Sequence, residues 1–155
     1  MSLIYFTTDH AKTTHDTIIN ISGGIQGVID LGRLDSIIDQ IKNDDYYPEF
    51  EDKLTHLVYA INKGHCFNDG NKRTSIALGA FFLEVNGLDM FVNKFIIEME
   101  NIAVSVADNL VSKELLKEII DSLLAEEDFN EPLKLKIIKA MQEQKHQNDS
   151  DEDLF

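Results

Sequence analysis

Residues 65–73 read His65-Cys66-Phe67-Asn68-Asp69-Gly70-Asn71-Lys72-Arg73, and the rest of the chain is arranged around this stretch. A helical pattern of apolar residues runs into it, and another runs out of it. Between the two patterns lie an imidazole, a carboxylate, a glycine, an amide and two cations. So dense a set of polar groups at the start of a helix indicates a binding site for an anion.

The backbone expected around this stretch favours the same interpretation. We predict that Gly64 ends the preceding helix in a left-handed conformation. Gly70 permits a tight turn in which backbone N–H groups point at one spot. The next helix begins around Asn71, so its positive end faces that spot as well.

The side chains supply the chemistry that such a site needs. Lys72 and Arg73 add positive charge, and an arginine can grip phosphate oxygens in a fork. Asp69 offers a hard oxygen ligand of the kind that holds Mg²⁺ beside substrate phosphates. His65 can accept a proton near neutral pH. Phe67 has no polar chemistry and is predicted to anchor the loop in the core.

Taken one at a time, these residues are ordinary, because Asn-Asp-Gly-Asn is common in turns and cations are common on surfaces. Their order, however, resembles the signature of the Fic superfamily: His, any residue, Phe, any residue, Asp or Glu, Gly or Ala, Asn, Gly or Lys, Arg. Every defined position is matched, which average residue usage would produce at about one in a hundred million starting positions.

Three departures from the commonest Fic pattern indicate the death-on-curing (Doc) branch, the toxin arm of toxin–antitoxin pairs. Lys72 stands where Fic enzymes usually have glycine, and Cys66 stands where they often have proline. The second arginine, expected three residues after the first, is replaced by Ile76. The resemblance covers roughly residues 4–125 and implies a compact, all-α helical bundle of about six core helices.

The resemblance implies a transferase that uses ATP and Mg²⁺ to modify a Ser or Thr hydroxyl of a target protein. His65 would take the hydroxyl proton and Asp69 would hold Mg²⁺. The phosphates would be bound by four further residues: Gly70, Asn71, Lys72 and Arg73. The Doc-like outcome is transfer of the γ-phosphate, with elongation factor Tu as the implied target. Transfer of AMP and a non-catalytic interaction module remain as alternatives.

Regulation by a partner is also implied. Many Fic proteins carry an inhibitory helix with Ser or Thr, three residues, then Glu followed by Gly or Asn. Here Ser122 and Glu126 have that spacing, but Glu127 follows, and such a pair also suits any exposed helix. We therefore expect a separate cognate antitoxin, as in Doc systems.

Length and composition limit the possible classes. The chain has 155 residues, enough for one domain with a real core. Its net charge of -14 argues against direct binding of nucleic acid, which needs a basic face. The apolar runs are too short to span a membrane. The N-terminus lacks the pattern of a signal peptide, and Cys66 is the single cysteine, so we expect a cytoplasmic protein.

Apolar residues at helical spacing predict core helices at about 8–22, 31–42, 50–63, 71–86, 94–110 and 112–125. Residues 1–125 would form the Fic/Doc domain. Residues 126–146 would add a C-terminal helix, and the acidic residues 147–155 are expected to be disordered. His15 is predicted to be partly buried and bonded to backbone, in preference to a catalytic role. His56 is expected to be structural or exposed.

Residues 43–49 interrupt the helical periodicity between the second and third helices. In the Fic family this region forms a flap, often a small hairpin, that lies over the active site and docks the target. Tyr46 and Tyr47 would then line the docking groove. The alternative is that both tyrosines pack on neighbouring helices.

Overall fold

The computed structural model describes residues 2–125 and 128–153, with side chains up to residue 143. The backbone of this part of the chain is mainly helical. Its helices are α1 (Thr8–Ser22), α2 (Leu31–Gln40), α3 (Phe50–Lys63), α4 (Asn71–Val85), α5 (Val92–Ala107), α6 (Lys113–Leu124) and α7 (Glu131–Asp153), with a 3₁₀ turn at Asp89–Phe91 before α5. The prediction of an all-α bundle is therefore confirmed.

Side-chain caps determine where several helices begin. The Thr7 side chain accepts a hydrogen bond from the His10 N–H at the start of α1. Ser112 caps α6 by accepting from the Leu115 N–H. Each cap satisfies a donor that has no partner within its own helix.

Helices α3 and α4 form the centre of the bundle. On α3, Leu54, Leu57 and Ile61 are fully buried. Helix α4 packs against α1, α3 and α5, which agrees with its apolar character on nearly all sides. Because both helices are held by the core, the loop between them starts and ends at fixed points.

Gly79 allows α4 to approach its neighbours closely. A Cβ atom at this position would lie 2.7 Å from the Phe95 ring of α5 and 3.0 Å from a Val58 methyl of α3. Phe95 is 1% exposed, so its ring has no space into which it could move. The absence of a side chain is therefore what permits the present spacing of the three helices.

The C-terminal helix differs in extent from the prediction. Helix α7 runs from Glu131 to Asp153, so the helix continues through most of the tail that we expected to be disordered. No glycine or proline follows Pro132, so nothing in the backbone chemistry stops the helix earlier. Leu133 and Ala140 are buried against the bundle. Glu126, the second residue of the possible inhibitory pair, lies outside the described residues, as does residue 127.

None of the helices in the described ranges is both long enough and apolar enough to cross a membrane.

Two helical glycines allow a matched test of the packing at α4. We expect Gly79→Ala to lower the free energy of unfolding by about 1–3 kcal/mol, because the added methyl overpacks a filled core. Gly32→Ala in α2 meets only ordinary van der Waals contact, with Asp30 at 3.7 Å. It should be neutral or stabilising by up to about 1 kcal/mol. Urea denaturation of both variants measures the difference, and equal effects would contradict this account of Gly79.

Candidate active site

The signature stretch spans the loop between α3 and α4, residues 64–70, and the first turn of α4. The backbone departs from the α3 helix at His65. Gly64 has a φ of -77°, so the prediction that it is left-handed is wrong. The left-handed residue is His65, with a φ of 49°. Glycine is needed at position 64 for another reason, since a Cβ there would lie 2.5 Å from the Ala60 carbonyl oxygen.

Gly70, expected to permit a tight turn, adopts a left-handed conformation with a φ of 76°, directly before the first residue of α4. A Cβ at this position would lie 3.0 Å from the Ile19 side chain. Both observations explain why the signature has a small residue here. The first N–H groups of α4 have no acceptor within the helix, and they carry the positive end of the helix dipole.

Phe67 anchors the loop in the core, as predicted. Its side chain is 1% exposed, and its ring stacks on the His15 ring with centroids 3.9 Å apart and an interplanar angle of 6°. The His15 Nε2 lies 2.6 Å from the Asp69 carbonyl oxygen. Since a carbonyl only accepts, Nε2 carries the hydrogen and donates it. His15 therefore contacts the loop at two points, the Phe67 ring and the Asp69 carbonyl. Its predicted bond to backbone is confirmed.

Asn71 also braces the loop from within. Its side-chain amide donates to the Phe67 carbonyl at 3.0 Å, and its Oδ1 accepts from the Phe67 N–H at 3.2 Å. The amide is thus engaged at both ends in fixing the backbone of the anchor residue. This differs from the expectation that the Asn71 amide is available for phosphates.

A connector that we define as residues 23–30 lies alongside the signature loop. Val28 and Phe67 form an antiparallel bridge. The Ile29 N–H donates to the Cys66 carbonyl at 2.7 Å, and the Asn68 N–H donates to the Gly27 carbonyl at 3.0 Å. These bonds join two segments that are about forty residues apart in sequence, and they restrict the loop from the side opposite the core.

The connector also holds the carboxylate of Asp69. The Ile25 N–H donates to its Oδ2 at 3.2 Å, and the Gly70 N–H donates to its Oδ1 at 2.8 Å. Chiefly because of these backbone bonds, first from Ile25 and then from Gly70, the pKa of the Asp69 carboxyl is lowered. Asp69 is therefore a fixed anion near neutral pH.

Arg73 is anchored to the end of α1. Its guanidinium donates to the Ser22 hydroxyl and to the Gly23 carbonyl, the latter at 3.0 Å. The Nη2 atom lies 3.8 Å from Asp69 Oδ1. Because the side chain is still 39% exposed, the guanidinium retains a face that a phosphate could reach.

These groups surround one open cavity of about 300 Å³. It is lined by Asn62, His65, Asn68, Asp69, Gly70, Asn71, Lys72, Arg73 and Ala107. His65 and Lys72 are exposed at this cavity. Within the part of the chain that the structure describes, the Lys72 ammonium has no hydrogen-bond or ion-pair partner. The structure therefore brings the predicted base, the predicted metal ligand and both predicted cations to one place.

The arrangement of Asp69 is compatible with Mg²⁺. Each carboxylate oxygen accepts one backbone hydrogen bond, so each retains a further lone pair for a metal ion. The side chain is 44% exposed, which leaves it reachable from the cavity. Across residues 2–125 and 128–153, no three His, Cys, Asp or Glu side chains converge in a metal-sized group. Mg²⁺ would thus depend on Asp69 together with phosphate oxygens and water.

Tyr46 and Tyr47 do not lie at this cavity. Residues 43–49 form turns in place of a hairpin, and Lys53 of α3 holds them by donating to Asp44 at 2.7 Å. The Tyr47 ring stacks on His56, with centroids 4.4 Å apart, in the middle of α3. The flap prediction is therefore wrong for these two residues, and the alternative, packing on neighbouring helices, describes Tyr47.

The segment that lies against the loop is the connector, to which the sequence assigned no role at the site. Its pairing with residues 66–68 is non-local and leaves no helical or alternating pattern. The available signal was the placement of Gly24 and Gly27. A Cβ at Gly24 would lie 2.7 Å from Asp69 Oδ2, and a Cβ at Gly27 would lie 2.6 Å from the Asn68 amide.

The fold and the site together define a class of protein. A model of the Fic/DOC family matches residues 5–83, slightly more than half of the chain. The chain belongs to the Fic/DOC family.

Two relatives place the chain in the Doc branch of that family. It is 36% identical over 102 residues to "Protein kinase doc" of Escherichia phage P1, a match that covers 63% of this chain and 78% of that protein. It is 35% identical over 72 residues to "Toxin Doc" of Mycolicibacterium smegmatis, covering 44% of this chain and 55% of that protein.

The close contact between the connector and Asp69 can be tested with adjacent glycines. Gly23 and Gly24 both have positive φ values, 85° and 130°, so alanine is strained at either position. At Gly23 the new methyl would enter open space, whereas at Gly24 it would press on the Asp69 carboxylate. We expect Gly24→Ala to displace the Ile25 N–H and raise the pKa of Asp69 towards its ordinary value. In Gly23→Ala this pKa should stay low.

A carboxyl-detected NMR titration of Asp69 measures both pKa values. An Asp69 pKa that is the same in Gly24→Ala as in the unmodified chain would contradict the proposed role of the Ile25 N–H.

The cluster around Tyr47 makes a separate prediction about pH. Burial first, and then the Lys113 charge, lower the pKa of His56 to about 4. Unfolded His56 titrates near 6.5, so the unfolded state binds more protons between these pH values. Stability should be complete above pH 6.5 and should fall as the pH drops towards 4, by at most about 3 kcal/mol. Urea denaturation across this range should show a flatter profile for His56→Gln, and an unchanged slope in that variant would contradict the assignment.

Proposed function

We propose that this protein is a Doc-type toxin that transfers the γ-phosphate of ATP to a Ser or Thr hydroxyl of a target protein. The observation that carries the proposal is the convergence of His65, Asp69, Lys72 and Arg73 on one cavity at the N-terminus of α4. Similarity to proteins named as a protein kinase and as a toxin supports the same activity. The proposed catalytic domain comprises residues 1–125, with α7 as an addition to it.

His65 is the general base in this proposal. Its imidazole is exposed at the cavity, so a hydroxyl of a docked target can reach it. The ring takes the hydroxyl proton as the oxygen attacks phosphorus, which avoids a free alkoxide. The left-handed backbone at His65 turns the chain out of α3 at this point, and the bracing of Phe67 keeps the imidazole at the edge of the site.

The positive groups stabilise the charge of the transferring phosphoryl. The N–H groups at the start of α4, the Lys72 ammonium and the exposed face of the Arg73 guanidinium converge on the cavity and would bind phosphate oxygens. Asp69 would hold Mg²⁺, which when bound neutralises phosphate charge. Because the connector and the end of α1 hold Asp69 and Arg73 in advance, little reorganisation of these two residues is needed when ATP binds.

Position 76 supports phosphate transfer over AMP transfer. In the pattern of AMP-transferring Fic enzymes a second arginine occupies this place, whereas Ile76 packs against the hydrophobic core. Lys72 also adds a cation at the start of α4, where AMP-transferring Fic enzymes usually have an uncharged glycine. We infer that the nucleotide binds in the reversed orientation that presents its terminal phosphate to the target hydroxyl.

The target and the partner follow from the Doc resemblance. The target is a translation factor, with elongation factor Tu as the first candidate, so the protein would act in the cytoplasm. A cognate antitoxin would restrain it. Direct contact with nucleic acid is not part of the proposal, because the chain carries a net charge of -14.

Incubation of the protein with ATP, Mg²⁺ and elongation factor Tu, followed by intact-mass measurement of the factor, tests this function. We expect the mass of one phosphate to be added. His65→Ala should reduce the rate by about 10²- to 10⁴-fold, since it removes the general base. His10→Ala is the matched control, because His10 lies on α1 and stacks on Phe81 away from the cavity.

The added mass of AMP would overturn the choice of γ-phosphate transfer. Equal activity of His65→Ala and the unmodified protein would overturn the role of His65. Absence of any modification, together with unimpaired growth of cells that express the protein, would favour the non-catalytic interaction module.

A further inference from the structure

A second cluster of reactive groups lies outside the cavity at the signature loop, where the turn at residues 43–49 meets α3 and α6. The Lys113 Nζ lies 2.9 Å from His56 Nδ1, and the Tyr47 hydroxyl lies 3.0 Å from the same nitrogen. The proposed phosphate transfer uses none of these groups. A second reaction at this cluster would therefore not interfere with the proposed phosphate transfer.

The hydrogen bonds define the protonation of the His56 ring. Its Nε2 lies 2.7 Å from Gln40 Oε1, and the amide nitrogen of Gln40 points the other way, towards Ser36 Oγ at 3.3 Å. Nε2 therefore carries the hydrogen, and Nδ1 presents a lone pair to Lys113 and Tyr47. His56 is 9% exposed, so its neutral form is maintained by burial.

Two aromatic rings also lie near the Lys113 amine. Its Nζ lies 5.2 Å from the centre of the Tyr47 ring and 5.9 Å from that of Tyr59. Burial lowers the pKa of Lys113, with Glu114 opposing the shift. The other charged groups at the adjoining cavity are Asp52 of α3 and Lys117 of α6. Asp52 pairs with Lys117 at 3.5 Å. Among the residues whose side chains are described, no carboxylate forms an ion pair with Lys113.

The amine is also reachable. A cavity of about 320 Å³ opens beside Lys113 and is lined by Tyr46, Tyr47, Asp52, Thr55, Lys113, Glu114 and Lys117. Tyr46 is 79% exposed, so the cavity is open to solvent on that side. A small acyl donor can therefore approach the nitrogen while the remainder of the side chain stays packed.

We propose that Lys113 is a nucleophilic amine and a site of N-acylation by small acyl phosphates. The ammonium first loses one proton to solvent. The nitrogen lone pair then attacks the acyl carbon, a C–N bond forms, and the C–O bond to phosphate breaks with its electron pair leaving on phosphate. The second proton passes to His56 Nδ1 and from there to the departing phosphate or to solvent. The product is a neutral amide that no longer pairs with His56 as a cation.

Lys117, one helical turn further along α6, is a matched internal control. Its Nζ lies 2.7 Å from Asp121 Oδ2 and 3.5 Å from Asp52 Oδ1. Burial opposes the effect, but these carboxylates raise the pKa of the Lys117 ammonium. Lys117 therefore keeps its proton and should react slowly, although it borders the same cavity.

The test treats the full-length protein with acetyl phosphate near pH 7.5 and follows acetylation of Lys113 and Lys117 by peptide mass spectrometry. We expect Lys113 to react about tenfold faster or more, because a tenfold ratio is what a modest difference in proton affinity between the two amines produces. In concentrated urea the two rates should become equal, because both environments are lost. A ratio near one in the folded chain would overturn the proposal.

Two variants test the part played by the imidazole. His56→Gln removes the proton acceptor and should lower the Lys113 to Lys117 ratio severalfold, and an unchanged ratio would overturn the role of His56. If that variant fails to fold, Tyr47→Phe tests the proposal instead. It keeps the ring but removes the hydroxyl that competes for Nδ1, so the ratio should stay the same or rise, and a fall towards one would overturn the proposal.

Discussion

The site depends on the backbone pairing between the connector, residues 23–30, and the signature loop. The Ile29 and Asn68 N–H groups donate across this contact. On the other side of the loop, Phe67 inserts into the core beside His15. A loop held on one face alone could open, whereas a loop held on both faces keeps Asp69 and the start of α4 in one arrangement. This constraint makes a short, polar segment into a preformed anion site.

The same contact explains why the signature residues have unequal tasks. Phe67 and Asn71 fix the loop backbone, and Gly70 supplies the left-handed turn. His65 and Lys72 remain exposed at the cavity. Asp69 and Arg73 have both a structural and a binding task. Asp69 is held by the connector and Arg73 by the end of α1 and Gly23, and each side chain still has an exposed face. Preorganisation of this kind favours stabilisation of developing charge on phosphate.

Local features of the site were predictable from the sequence, and non-local ones were not. The helices follow from apolar periodicity, and the convergence of His65, Asp69, Lys72 and Arg73 follows from their position within nine consecutive residues at the start of a helix. The sequence does not show that the left-handed residue is His65 and not Gly64. Glycine is needed at position 64 because a Cβ would approach the Ala60 carbonyl, and that contact depends on how the helix ends. The connector was missed because its pairing partners are about forty residues away, and residues 43–49 were assigned its position by analogy alone.

Hydrogen exchange at the Ile29 and Asn68 amides tests the central claim most directly, since both N–H groups donate between the connector and the loop. The account predicts that both amides exchange about a hundredfold or more slowly than in an unstructured peptide, and that they lose this protection together as denaturant is added. Exchange of either amide at the unstructured rate would contradict the claim that the connector holds the loop.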